Sequence, residues 1–367
     1  MKNTSKPVSI SLTNFTKFKA ENITFSTGMN LFIGKNGSGK THILQLIYAI
    51  IQANNNLSAK QRVAITATQK NIFDEIMAVF KTKKLEELIS FNEKSSVVGL
   101  KFPTYTIKFN FTKNSLVQVG MEKTNLPTQF IHQKIIFIPA KEFLSHAKGF
   151  RWLYRERELN FDKTFDDLCG KLDAPLLKKP DPKLKEILEQ MLGGKIEKDN
   201  NNEFSLITKE GNTIHINLVA EGLKKIGMLY YLLMNGSINE NTVLFWDEPE
   251  ANLHPKLIIK VVELLIIFIN NGMQVFIATH SPYIIESLNS HLQRNKINNL
   301  VIESEKIKNF KPLHPDKTQA YLLEQDKISP ILDQEVKLID DKLLNNFNDI
   351  GDLYDVMRDI EWDQLND

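Results

Sequence analysis

The chain has 367 residues, of which 42% are hydrophobic and 25% are charged, a composition ordinary for a globular protein. Its formal net charge of +2 neither demands nor excludes nucleic acid. The single cysteine, Cys169, excludes an intrachain disulfide and a CxxC metal pair.

Two strands are predicted over residues 9–25, where apolar residues alternate. A short apolar strand at 29–33 then leads into a glycine-rich stretch, and isoleucine and leucine recur at helical spacing as far as the asparagine cluster 54–56. Strand, glycine loop and helix in this order are the context of a phosphate-binding loop. Further along, the pattern predicts a charged helix, alternating strands and an apolar strand, at 60–89, 97–119 and 134–139.

The second half of the chain begins with charged helices at 151–192, interrupted by prolines, and a hairpin at 204–218. Helix and strand then alternate, with predicted elements at 221–234, 242–246, 255–270 and 274–278. The most apolar stretch, 257–269, is too short to span a bilayer, and the N-terminus lacks the apolar run of a signal peptide. We therefore expect a cytoplasmic protein without a membrane partner.

The glycine-rich stretch matches the phosphate-binding pattern GxxxxGK[ST] at every fixed position. Its glycines allow consecutive main-chain N–H groups to point at phosphate oxygens at the start of a helix. Lys40 is expected to reach the β- and γ-phosphates, and the Thr41 hydroxyl to bind Mg²⁺. The predicted nucleotide-binding residues of this Walker A motif are Gly34, Lys35, Asn36, Gly37, Ser38, Gly39, Lys40 and Thr41.

Two acidic residues end the apolar strand at 242–246, which is the Walker B pattern. Asp247 is predicted to hold Mg²⁺ through water, and Glu248 to polarise the attacking water as the catalytic base.

The residues that follow resemble one branch of ATPases. Residues 247–255 read DEPEANLHP, which is similar to the Walker B and D-loop of ABC-type ATPases, especially the overcoming-lysogenization-defect (OLD) and SMC-like branch. Transporter ATPases usually read DEPT followed by xxLD. After the next strand, residues 279–282 (THSP) resemble the switch of the same branch, in which His280 would touch the γ-phosphate.

The resemblance also implies a composite site shared by two copies of the chain. Ala220, Glu221 and Gly222 look like the [SA]EG variant of the ABC signature, which a second copy would present to the γ-phosphate. Ala220 stands where many relatives have serine, which weakens the expectation of fast hydrolysis. At the end of the strand at 134–139, Ala140 replaces the glutamine of many ABC proteins, and the IPAxE pattern there is common in OLD-like and Septu-type ATPases.

The fold implied by this motif order is an α/β P-loop NTPase of ABC-ATPase type, with a mostly parallel central sheet, an antiparallel β subdomain and an inserted helical lobe. We expect one ABC-type ATPase domain over 1–367. Its parts are a core at approximately 1–56, 131–147 and 213–310, helical and β inserts at approximately 57–130 and 148–212, and a helical tail at approximately 311–367.

Two regions leave their role open. Residues 148–157 mix basic and aromatic side chains, which suits either nucleic acid or an amphipathic helix whose arginines pair with nearby acids. The tail carries apolar residues at helical spacing that suit either a partner-binding helix or packing across the core.

Two alternative functions are compatible with this predicted ATPase core. The chain is most similar to Septu-type (PtuA) anti-phage defence ATPases, which implies a weak or regulated ATPase that dimerises on ATP and Mg²⁺ and acts with a separately encoded nuclease or toxin. The 87 residues after His280 are too few for the Toprim nuclease fused to OLD proteins. The alternative is a RecF- or SMC-like ATPase that binds DNA directly. A transporter motor is disfavoured by DEPEANLHP and by Ala140.

Overall fold

The computed structural model describes residues 6–56, 65–113, 132–157, 159–297, 311–333 and 335–340. Within these ranges the strands are β1 (Ser9–Phe15), β2 (Phe18–Thr24), β3 (Met29–Ile33), β4 (Ser95–Lys101), β5 (Thr106–Thr112), β6 (Ile135–Ile138), β7 (Gly194–Lys198), β8 (Phe204–Thr208), β9 (Thr213–His215), β10 (Val243–Asp247), β11 (Gln274–Thr279), β12 (Thr318–Glu324) and β13 (Lys327–Pro330). The α-helices are α1 (Lys40–Asn55), α2 (Ile65–Phe80), α3 (Phe150–Glu156), α4 (Lys163–Leu172), α5 (Pro182–Leu192), α6 (Glu221–Met234), α7 (Pro255–Asn270) and α8 (Pro282–Lys296).

The main sheet has six strands in the order β13-β12-β3-β11-β10-β6, all parallel except β13 at one edge. Its central strands are buried along their whole length, as their continuous apolar sequences require when both faces of a parallel sheet are covered. Alternate residues therefore enter two different cores. Leu244 and Trp246 of β10 pack with α6, α7 and α8, whereas Val243 and Phe245 pack with α1 and α2.

The antiparallel sheet has the order β2-β1-β4-β5 and belongs to the same core as α1. Strand β5 alternates buried and partly exposed residues, so its buried face, with Ile107, Phe109 and Phe111, closes over this core. The side chain of Tyr321 in β12 joins the two sheets, since its hydroxyl donates to the Thr24 carbonyl at 2.6 Å.

The helical lobe lies in the chain between β6 and α6. It contains α3, α4, α5 and the three-stranded sheet β7-β8-β9, and its apolar residues are continuous with the core under the main sheet. Asp162 and Asp181 cap α4 and α5 by accepting main-chain N–H groups, which fixes where these short helices begin. The lobe is therefore packed onto the ATPase core by way of α6.

These features confirm the predicted fold class, and α6 and α7 have the bounds that the sequence pattern predicts. The helical assignment of the tail is wrong for residues 318–330, which form β12 and β13. Their alternating buried residues fit the open edge of β3, and Tyr321 stacks on Phe32 there. The sequence also predicts a short strand near residues 300–302, which, like the part of the predicted helical tail beyond residue 340, lies outside the described residues. Strand β7 was not predicted.

Candidate functional site

The P-loop joins the end of β3 to the start of α1, and its glycines are required by geometry. Gly37 and Gly39 have φ of 77° and 94°, in the left-handed region that side chains with a Cβ disfavour. A Cβ on Gly34 would lie 2.5 Å from the carbonyl oxygen of Leu323 in β12. The late strand β12 thus supports the first turn of the loop from the side.

Lys40 is the first residue of α1, and its side chain folds back onto the P-loop. Its Nζ donates to the carbonyl oxygens of Gly34 at 2.7 Å and Lys35 at 3.0 Å, and the residue is only 5% exposed. Burial lowers the pKa of this ammonium, an effect that the nearby acidic residues oppose. The Ser38 Oγ is buried and has no hydrogen-bond partner in the described part of the chain. A cationic loop with an orphaned hydroxyl fits a polyphosphate.

The Thr41 hydroxyl reaches the carboxylate of Asp247, with oxygen–oxygen distances of 2.9 and 3.0 Å. Burial raises the pKa of Asp247 to about 6, while the hydrogen bond from Thr41 lowers it. A hydroxyl and a carboxylate beside a phosphate site are the oxygen ligands that Mg²⁺ takes in nucleotide-binding proteins. These two residues could therefore hold the ion together.

Glu248 adopts φ of 45°, a left-handed conformation that is uncommon for a residue with a Cβ. Its N–H donates to the Ala278 carbonyl at 2.8 Å. Its Oε1 lies 3.3 Å from the Nδ1 of His280, so the predicted base and the predicted switch residue are in direct contact. The strained turn takes the side chain from the end of β10 to the P-loop pocket, which Glu248 lines.

Glu250 is a site residue that the motif analysis missed. Its Oε1 accepts from the Thr279 hydroxyl at 2.6 Å and from the His280 N–H at 3.2 Å, and the residue is buried. It thereby fixes the backbone of the switch segment. The second glutamate of DEPE was the available signal, but its partners are 29 and 30 positions away in the chain, where spacing gives no information.

The three signature residues begin α6 beside the D-loop. Ala220 and Glu221 are exposed, and the Glu221 carboxylate accepts from the Asn252 amide at 2.7 Å. A Cβ on Gly222 would lie 2.4 Å from the Asn252 carbonyl oxygen, so only glycine permits this contact. In the described part of the chain, none of these three residues lines the P-loop pocket. The structure therefore brings together Walker A, Walker B and the switch, but not the signature.

The P-loop pocket has a volume of about 580 Å³ and includes residues that no motif indicated. Lys17 donates to the Gly37 carbonyl at 3.3 Å, and His42 lies beside it, with its pKa lowered by burial and by Lys17. Phe91 lines the same pocket with 95% of its surface exposed. The only sequence signal for Phe91 is an isolated aromatic residue in the polar turn before β4.

The end of β6 lacks the glutamine of many ABC proteins, as the sequence indicated. Two positions after Ala140, the carboxylate of Glu142 accepts from the Ser145 N–H at 2.8 Å and lies 4.0 Å from the Lys224 Nζ. The carboxylate is therefore turned toward its own loop and toward α6.

Two of the four basic residues in the basic and aromatic patch at 148–157 form ion pairs, whereas Arg155 and Arg157 are exposed. Arg151 contacts Asp166 at 3.1 Å and Asp173 at 3.7 Å, and Lys148 pairs with Glu203. The contacts of Lys148 and Arg151 favour the amphipathic helix over a phosphate-binding surface at these two residues, because their charges already have protein partners.

A protein-family model described as "AAA domain, putative AbiEii toxin, Type IV TA system" matches residues 29–286. The chain belongs to this family. The match runs from β3 into α8, and so includes the P-loop, the acidic end of β10 and the switch segment.

Several known proteins are similar in sequence. Protein ea59 of Escherichia phage lambda is 25% identical over 279 residues, which cover 72% of this chain and 47% of ea59. The DNA replication and repair protein RecF of Cytophaga hutchinsonii is 43% identical over 60 residues, or 16% of each chain. The Old nuclease of Escherichia phage P2 is 32% identical over 137 residues, covering 35% of this chain and 22% of the nuclease. The chain spans less than half the length of each relative. It is an AAA-family ATPase related to Old nuclease and RecF.

Two solved structures share the fold. An SMC head bound to the C-terminal winged-helix domain of ScpA superposes with a TM-score of 0.53 at 15% identity, covering 90% of this chain and 98% of the head. An SMC head from Pyrococcus furiosus, bound to the C-terminal domain of ScpA, gives a TM-score of 0.50 at 14% identity, with 94% and 100% covered. The ABC-ATPase architecture is thus shared at the level of the fold. Across the described ranges, no helix is long and apolar enough to cross a membrane.

The raised pKa of Asp247 predicts a pH-dependent stability. Burial disfavours the charged carboxylate in the native state, so ionised Asp247 lowers the free energy of unfolding. This destabilisation is absent below the ordinary pKa of aspartate and fully present above about pH 6. Asp247→Asn should therefore raise the free energy of unfolding by about 1–3 kcal/mol at pH 7.5, and by much less at pH 4. Denaturant unfolding without nucleotide or Mg²⁺ measures both values. Asp326→Asn, in an exposed turn, is the matched control, and a gain of equal size at both pH values would contradict this explanation.

Proposed function

We propose that the chain binds ATP, closes head-to-tail on a second copy around two nucleotides, hydrolyses ATP slowly, and regulates a separate effector in anti-phage defence. One observation supports the proposed dimer. Residues of the P-loop and Glu248 line one pocket, and His280 contacts Glu248, whereas the signature end of α6 is exposed beside the D-loop and does not line that pocket. A second copy can supply what the pocket lacks.

Different residues of this chain would bind the phosphates, hold Mg²⁺ and activate the attacking water. The P-loop N–H groups and Lys40 bind the phosphates, with Lys40 exchanging its two carbonyl contacts for phosphate oxygens. Thr41 and Asp247 hold Mg²⁺, which when bound neutralises negative charge on the phosphates. Glu248 orients the attacking water and accepts its proton.

His280 would couple hydrolysis to the presence of the γ-phosphate. Its Nδ1 lies 3.3 Å from the carboxylate of Glu248, which lines the pocket, and its side chain is 44% exposed. A γ-phosphate there would compete with Glu248 for the imidazole. Glu250 keeps the switch backbone fixed while the side chain changes partner.

The signature of the second copy would close the site. The first turn of an α-helix such as α6 has main-chain N–H groups without an intrahelical acceptor and carries the positive end of the helix dipole, both of which favour an anion. Ala220 caps this helix without a side-chain hydrogen bond. The missing hydroxyl is consistent with slow hydrolysis, because one contact to the γ-phosphate is lost.

A nuclease or toxin as the regulated activity is supported by the name of the family, which includes a putative toxin, and by the similarity to Old nuclease. That this effector is a separate chain is part of the proposal. The alternative is direct binding of DNA, which the similarity to RecF supports. The ion pairs of Arg151 and Lys148 weigh against that alternative at this patch.

The dimer is tested with two variants. Glu248→Gln keeps the pocket but removes the base, so it should bind ATP and accumulate as a dimer in saturating Mg-ATP. Lys40→Ala removes the phosphate-binding cation and should stay monomeric. Light scattering with and without nucleotide measures both, and a Glu248→Gln protein that remains monomeric would contradict the sandwich.

The same pair of variants identifies the partner. Tagged Glu248→Gln and Lys40→Ala proteins, purified gently from the native host in Mg-ATP, should differ in a stoichiometric nuclease or toxin-like protein that the trapped dimer retains. Recovery of DNA alone, lost at higher salt, would instead establish the DNA-binding alternative.

The exposed ring of Phe91 is proposed to stack on the nucleotide base. Stacking on an aromatic side chain contributes about 1–3 kcal/mol per base, so Phe91→Ala should weaken ATP binding by roughly five- to a hundredfold. The Phe91→Ala protein should bind inorganic tripolyphosphate, which has no base, with the same affinity as wild type. Trp152→Ala, which removes an exposed aromatic residue from the helical lobe, is the matched control. Equal losses for ATP and tripolyphosphate would refute the stacking role.

A further inference from the structure

Two consecutive lysines of α6 point into the protein. Lys225 is fully buried and Lys224 is 8% exposed, although both lie in the first turns of the helix that begins with the signature. Burying an ammonium group is costly unless it is paired. The Lys225 side chain therefore needs an explanation beyond packing.

Lys225 reaches the loop that carries the candidate catalytic base. Its Nζ donates to the main-chain carbonyl of Glu248 at 3.1 Å. The carboxylates of Glu250, Glu248, Asp247 and Glu221 oppose the effect of burial, which nonetheless lowers the pKa of the amine. The ammonium thus holds a backbone atom inside a cluster of acids.

The backbone at Glu248 needs such support. A left-handed conformation is sterically disfavoured for a residue with a Cβ, and φ of Glu248 is 45°. The N–H of Glu248 is held by β11 through the Ala278 carbonyl, and its carbonyl is held by Lys225 and by the Ala251 N–H at 3.1 Å. The peptide groups that aim the carboxylate are therefore fixed from β11 on one side and from α6 on the other.

Helix α6 thereby connects two nucleotide sites of the proposed dimer. Its exposed N-terminus, at Ala220 and Glu221, would contact the nucleotide of the second copy, and one turn further Lys225 holds Glu248 at the nucleotide of its own subunit. A shift of this helix on closure would change the position of the carbonyl that Lys225 binds.

We propose that Lys225 is a positioning residue that transmits engagement of the signature by the second copy's nucleotide to the Glu248 of its own subunit. This proposal rests on the head-to-tail dimer. Lys225 does not touch substrate. It acts by holding the Glu248 turn in the conformation that aims the carboxylate.

The test compares Lys225→Met with Lys224→Met. Methionine has a similar length and fits an apolar environment, but it cannot donate to the Glu248 carbonyl. We expect Lys225→Met to keep its melting temperature, to bind ATP within about threefold of wild type, and to lose at least tenfold in kcat. The Nζ of Lys224 faces Glu142 instead, so Lys224→Met should keep its melting temperature and stay within about threefold of wild type in both ATP binding and kcat.

A double-variant cycle separates positioning from general damage. If Lys225 acts through Glu248, adding Lys225→Met to Glu248→Gln should not slow single-turnover hydrolysis further. Additive losses, or equal losses in kcat for the two lysine variants, would overturn the proposal.

Hydrogen exchange provides a readout that needs no hydrolysis. In the nucleotide-free protein, amides in a peptide over residues 247–253 should exchange at least tenfold faster in Lys225→Met than in wild type or in Lys224→Met. Unchanged exchange would refute the role of Lys225 even if ATP binding and dimerisation are as proposed. Loss of dimerisation in Glu248→Gln would refute the dimer while leaving the local result intact.

Discussion

The nucleotide site depends on the parallel pairing of three neighbouring strands. Strands β3, β11 and β10 lie side by side, so that their carboxyl ends open at one edge of the sheet. The P-loop follows the first, the switch segment follows the second, and the acidic pair ends the third. Thr41 and Asp247 are 206 positions apart in the chain, yet this strand order puts them in hydrogen-bond contact. Strand β12 extends the same sheet and supports Gly34 from the other side.

The second constraint is electrostatic. Three acids, Asp247, Glu248 and Glu250, share a partly buried region with the ammonium groups of Lys40 and Lys225. Burial raises the pKa of Asp247 and lowers the pKa of both lysines, so each charge carries a solvation cost in the absence of ligand. A polyphosphate and a divalent cation together would complement both signs of charge. The arrangement thus favours binding of the pair over binding of either alone.

Much of the site could be predicted because its chemistry is encoded locally. The P-loop and the acidic strand end are contiguous motifs, and the bounds of α6 and α7 follow from apolar spacing and from Pro255. Contacts between distant segments could not be predicted in this way. Glu250 and Lys225 act through partners that only the fold brings near, and Phe91 belongs to the pocket only because the turn before β4 meets the P-loop. Strands β12 and β13 were missed because their burial depends on an open sheet edge.

In the proposed dimer, each nucleotide site combines the P-loop of one copy with the signature of the other. Mixing Lys40→Ala and Ala220→Asp subunits, both carrying Glu248→Gln, tests it directly. Aspartate is a good helix N-cap, so it should preserve α6 while placing a negative charge against the phosphate. Neither variant alone can build an intact site, but their heterodimer contains one. We expect ATP-dependent capture of one variant by the other in differently tagged mixtures, and no such capture within either variant alone. Failure of the mixture to associate, or association of either variant alone at the level of Glu248→Gln, would contradict it.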